Sequence, residues 1–183
     1  MFDLIKQFYG SFMLSVLKVL HSVSICILRI KGAQIGRHTF ILNNLLKQPG
    51  LDPANIKIGS KCVICDEVLL LSDDCYRRLL PPDSKDEATK KGIIINDNCF
   101  IGIGAIILNG VTVGPNSIVG AGAVVVSDVK PNSCVAGNTS RFVCSLESYA
   151  KASKRNVIKG YKSENKSKSE FLKSYFWPML RKE

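Results

Sequence analysis

An aliphatic residue returns at every sixth position from Ile95 onward: Ile95, Ile101, Ile107, Val113, Val119 and Val125. Four residues after each stands a small or β-branched one, Cys99, Ala105, Val111, Ser117, Ala123 and Val129. Glycine follows the leading aliphatic at Gly102, Gly114 and Gly120. The register continues upstream through Ile58, Ile64 and Leu70, and appears again at Ile35 and Ile41. A period of six suits neither an amphipathic helix, with its period of 3.6, nor an alternating strand. It suits a parallel β-helix, in which each hexad supplies one short strand and three hexads complete a triangular turn. Each leading aliphatic then points inward and stacks on its counterpart eighteen residues later, about 4.8 Å along the axis. Gly and Asn take the corners that need positive φ.

The segments flanking the repeat differ in composition. "SFMLSVLKVLHSVSICILRI" is almost entirely apolar, and Ser11, Ser15, Lys18, Ser22 and Arg29 fall along one narrow helical stripe. A charge at Lys18, near its centre, argues against a membrane span, and no small-residue cleavage site follows it. The expectation is an amphipathic helix that packs on the coil end or lies at an interface. Residues 151–183 hold ten Lys or Arg against three acidic residues, so this tail carries +7 of the chain's +10. It reads as a solvated, partly helical extension suited to an anionic membrane surface. No RNA- or DNA-binding motif accompanies it, and nucleic acid is not expected as a partner. The expected organisation is therefore a helix over 1–32, a β-helix over 33–144 and a basic extension over 145–183.

Seven cysteines, an odd number, favour reduced thiols in a cytoplasmic compartment. Cys62 and Cys65 form a lone CxxC, and a closed zinc site needs two further ligands. The expected role of these thiols is core filling, with no metal.

The segment "IIINDNCFIGIGAIILNGVTVGPNSIVGAGAVVVSDVKPNSCVAGNTSRFV" resembles the hexapeptide-repeat acyltransferases, which fold as left-handed β-helices. The likeness covers about Ile35 to Arg141 and is strongest to sugar and polysaccharide O-acetyltransferases. It implies a homotrimer that moves an acyl group, normally acetyl, from acetyl-CoA to a hydroxyl in clefts between subunits. It also places Gly104, Ala105, Gly122 and Ala123 where the pantetheine arm approaches the backbone, Arg141 near the CoA phosphates, and Phe100 beside the acceptor pocket. A γ-type carbonic anhydrase needs three histidines per zinc, and this chain has two. Serine acetyltransferase shares a similar terminal block, but its histidine-bearing acceptor-site text is absent here.

One stretch departs from the family. "VLLLSDDCYRRLLPPD" opens an insertion, 74–92, where relatives carry a histidine that takes the proton of the acceptor hydroxyl. Here Asp73 and Cys75 stand in its place. Asp73 is the candidate base, with His38 as the alternative if subunit packing brings it near. The expected function is O-acyl transfer to a sugar or surface-glycan precursor, at the cytoplasmic face of the membrane. The competing class is a non-catalytic trimer serving as a membrane-associated scaffold.

Overall fold

The computed structural model describes residues 22–42, 45, 48, 50–72 and 92–155. The chain divides into two compact units, Met1–Tyr149 and Ala150–Glu183. In the first, residues 22–30 form a helix, α1, and a left-handed parallel β-helix follows. Its first face carries β1 (Gln34–Ile35), β3 (Ile56–Ile58), β6 (Ile93–Ile95) and β9 (Thr112–Val113). The second carries β2 (Phe40–Ile41), β4 (Val63–Ile64), β7 (Phe100–Ile101), β10 (Ile118–Val119), β12 (Ser133–Ala136) and β13 (Arg141–Ser145). The third carries β5 (Leu69–Leu71), β8 (Ile106–Leu108) and β11 (Val124–Val125). Every pairing is parallel except β12 with β13, which is antiparallel. Helix α2 (Leu146–Arg155) follows β13 directly.

The hexad explains this arrangement residue by residue. Ile58, Ile95 and Val113 stack in one column, Ile64, Ile101 and Val119 in a second, and Leu70, Ile107 and Val125 in a third. All nine side chains are buried. Each such burial contributes about 1.5–3 kcal/mol relative to exposure, so the three columns are the main source of stability. Regular turns advance eighteen residues, as from Ile101 to Val119. Ile64 instead pairs with Ile101, thirty-seven residues on, so the coil resumes in register after the insertion that follows β5.

Each turn between the first and second faces passes through a left-handed residue. His38, Lys61, Asn98, Asn116 and Asn132 all have φ between 55° and 58°. Asn bears this conformation more easily than most residues. Here it also bonds along the axis: Asn98 Nδ2 donates to Asn116 Oδ1 at 2.8 Å, and Asn116 Nδ2 to Asn132 Oδ1 at 3.1 Å.

The next residue in each of these turns faces inward, giving a second column: Thr39, Cys62, Cys99, Ser117 and Ser133, all buried. A hydroxyl or thiol buried here needs an acceptor, and most find one in the following turn. Cys62 Sγ donates to Asn96 O (3.0 Å), Cys99 Sγ to Gly114 O (3.1 Å) and Ser117 Oγ to Lys130 O (3.0 Å). The column is a polar seam inside an otherwise apolar coil.

Candidate active site

The inserted segment leaves the coil at a firmly held point. Ser72, buried at the end of β5, accepts a hydrogen bond at Oγ from Asp52 N (2.8 Å) and donates from Oγ to Asp52 O (3.1 Å). Asp73 and the loop expected from Asp74 begin immediately beyond it and lie outside the described residues, apart from Gly92 at the re-entry. The sequence reading did not single out Ser72 or Asp52; only their contact across twenty residues shows the pair's role.

His38, the other candidate base, is exposed and sits in the left-handed column described above. Its position is that of a corner residue following the first face.

Of the four residues expected to border the donor, two present a surface and two do not. Gly104 and Gly122 have φ of +66° and +65°, and an added Cβ at either would meet nothing within 4 Å. They stand one above the other at the corner leading into the third face, and leave a strip of bare backbone two turns high. The turn before Gly104 carries Glu67 in the same column, at φ 58°. Ala105 and Ala123 are fully buried in the core. Their methyl groups fill the inside of this corner, so a larger residue there would overpack the coil. The contrast with Gly102 is instructive, since a Cβ there would lie 2.5 Å from Ala121 N of the next turn. Gly102 is needed for stacking, whereas Gly104 and Gly122 face outward.

The third face flanks the bare strip with aliphatic side chains. Leu69, Ile106 and Val124 share one outward row, and Leu71 and Leu108 the next. On the second face the outward row is Phe40, Val63, Phe100 and Ile118. Phe100 is 42% exposed and Phe40 50%, so both are surface residues.

Arg141 opens β13 and is exposed. Its neighbours Ser140 and Phe142 line a cavity of about 490 Å³ at the end of the coil, together with Val129, Lys130 and Val135. Arg141 itself is not among the lining residues.

The described aspartates are all engaged with backbone. Asp52 Oδ1 accepts from Ala54 N (3.1 Å), Asp66 Oδ1 from Glu67 N (3.0 Å), Asp97 Oδ1 from Ser60 N (2.6 Å) and Asp128 Oδ1 from Thr112 N (2.7 Å). These carboxylates hold turns in place. Among the described residues no three His, Cys, Asp or Glu side chains gather as a metal site. Cys62 is buried in the polar seam, and its Sγ also lies 3.6 Å from Ser60 O. Beside it, the hydrogen bond with the Cys62 thiol and burial push the Cys99 thiol well above its ordinary pKa. The same hydrogen bond draws the Cys62 thiol down to about 7 against the effect of burial, but both sulfurs are closed off from solvent inside the coil, where no substrate reaches them. No helix among the described residues is long and apolar enough to cross a membrane.

Residues 92–127 match the family model for bacterial transferase hexapeptide (six repeats). Over 126 residues the chain is 37% identical to Protein CapG of Staphylococcus aureus, covering 67% of this chain and 71% of that protein. Among solved structures it is similar to a hexapeptide-repeat-containing acetyltransferase of Vibrio cholerae O1 biovar eltor, solved with acetyl coenzyme A. Identity there is 32%, coverage 63% of this chain and 61% of that one, and the TM-score 0.46. It is also similar to serine acetyltransferase of Brucella abortus strain S19, with 24% identity, 62% and 40% coverage, and a TM-score of 0.48. The chain thus spans about two fifths to three fifths of the length of these two structures. With the hexad register, its stacked columns and the extent of the likeness to Protein CapG, the chain belongs to the bacterial transferase hexapeptide family of acyltransferases.

Proposed function

We propose that the protein transfers an acetyl group from acetyl-CoA to a hydroxyl of a sugar or surface-glycan precursor, working as a homotrimer. The observation that carries this reading is the bare strip at Gly104 and Gly122, walled by the aliphatic rows of the third face. A pantetheine arm is narrow and extended, with amides separated by methylenes. Backbone stripped of side chains lets such an arm lie within hydrogen-bonding reach of N–H and C=O groups while the aliphatic rows take its methylenes. Arg141, on the last strand, supplies a cation suited to bidentate contact with the phosphates.

The acceptor hydroxyl must lose a proton as it attacks the thioester carbonyl. Since the described aspartates hold backbone amides, the proposed acceptor of that proton is Asp73, in the segment that leaves the coil at Ser72. Transfer then forms the ester C–O bond, breaks the thioester C–S bond and releases CoA as a free thiol. The proposed setting is the cytoplasmic face of a membrane, with the basic tail against anionic lipid.

The test is to incubate the full chain with acetyl-CoA and a panel of sugars and sugar nucleotides, measuring released thiol and acetylated product. Acceptor-dependent thiol release supports the reading. Failure to bind acetyl-CoA at millimolar concentration would overturn it in favour of a scaffold.

A further inference from the structure

The β12–β13 hairpin places two cysteines directly opposite one another. Cys134 on β12 is the register partner of Cys144 on β13. Directly opposed residues of an antiparallel pair have Cα atoms about 4.5 or 5.5 Å apart, and both spacings fall within the range a disulfide spans. Both cysteines are free thiols, Cys134 buried and Cys144 partly exposed. They differ from Cys62 and Cys99, whose sulfurs donate to carbonyl groups of the polar seam. The Cys134 thiol instead lies against Cys144: burial first, then the charge and hydrogen bond of Cys144, push it up to about 11.

We propose that Cys144 is a site of thiol modification and Cys134 its resolving partner, so that a low-molecular-weight disulfide such as oxidised glutathione converts the pair to an internal disulfide. Cys144, the more accessible sulfur, attacks the oxidant as a thiolate, forming a mixed disulfide and releasing one thiol. Cys134, already in contact, gives up its proton and attacks Cys144 Sγ, forming the Cys134–Cys144 bond and releasing the second thiol. The two protein thiols are oxidised, their two protons pass to the released thiolates, and the oxidant is reduced to two thiols. Proximity offsets the small thiolate fraction of a buried Cys134.

The hairpin gives this bond a consequence. Between the two cysteines lie Val135, Ser140 and Phe142, which line the cavity at the end of the coil, and Arg141. β13 has one neighbour, β12, and is exposed at Arg141, Phe142 and Val143. A cross-strand bond ties this outermost strand to the coil.

Full-length protein is incubated with oxidised glutathione, then analysed by intact mass, non-reducing peptide mapping and amide hydrogen exchange. The expected result is loss of two hydrogens, a linked peptide containing Cys134 and Cys144, and reversal by dithiothreitol. Exchange at Arg141–Ser145 should slow by about tenfold or more, because opening of the hairpin is restricted. C134S should trap a stable glutathione adduct on Cys144, and C144S should form neither adduct nor link at this hairpin. A persistent adduct on wild-type Cys144, linkage through other cysteines, or unchanged exchange in the linked protein would overturn the proposal.

Discussion

The side-chain amide of Gln48 completes the hydrogen bonding that a strand would otherwise supply to Leu70: Gln48 Oε1 accepts from Leu70 N at 3.0 Å, and Gln48 Nε2 donates to Val68 O at 2.6 Å. Among the described residues the third face has no strand before β5, which is the outermost member of its sheet on that side. A primary amide carries one donor and one acceptor group, as a peptide does, and so caps the sheet edge. Gln48→Ala leaves both backbone groups without that partner. It should destabilise the coil by about 1–3 kcal/mol, seen as a lower urea midpoint with unchanged m. An unaltered midpoint would sink this account of the edge.

At the donor strip, Gly122→Asn adds a side chain where the backbone is already left-handed, as it is at Asn98 and Asn116. The coil should keep its melting temperature to within a few degrees, while affinity for acetyl-CoA falls about tenfold or more as the strip is obstructed. Calorimetry showing full affinity would remove the strip from the site.

Ala123→Leu should behave in the opposite way. Its side chain enters a filled interior, so the expected cost is about 1–3 kcal/mol of stability, with donor affinity retained in the folded fraction. Denaturation and binding measured on the same sample separate the two effects; weaker binding at unchanged stability would contradict the inward placement.

For the proton acceptor, Asp73→Asn should reduce acceptor-dependent thiol release by about 10²- to 10⁴-fold at unchanged acetyl-CoA affinity. Asp73→His should keep or raise the rate, since imidazole titrates nearer neutral pH. Activity that survives intact in Asp73→Asn would shift attention to His38 across a subunit interface.

The Cys134 thiol, raised from 9.0 to about 11 chiefly by burial, makes stability depend on alkaline pH. The folded state holds the proton more tightly than the unfolded chain. Its contribution is therefore fully present below about pH 9 and is lost as pH rises through about 11. C134S should flatten the decline of stability across that window, measured by denaturation at stepped pH in reductant.

What the sequence disclosed followed from repetition. Ile95, Val113 and the other leading aliphatics announce their own stacking, because each occupies the same environment one turn on. That made the coil and the interrupting segment legible. At Gly104–Ala105 and Gly122–Ala123 the outward glycine and the inward alanine are adjacent, and composition alone does not say which faces the core. His38 attracted attention as a rare side chain with useful chemistry, yet its φ of 57° shows a corner it shares with lysine and asparagine. Gln48 and Ser72 were invisible for a different reason. Their roles rest on single contacts between distant, non-repeating positions, and no local pattern encodes them.

The reversal of direction at β13 bears on how the protein remains a discrete particle. A parallel solenoid is open-ended, since each turn is a template for the next and its last strand offers unsatisfied N–H and C=O groups to any similar chain. The sheet on the second face ends in a strand that runs the other way and cannot continue the coil. Truncation before Arg141 would leave β12 as a growing point, and the protein would be prone to polymerise end to end into filaments.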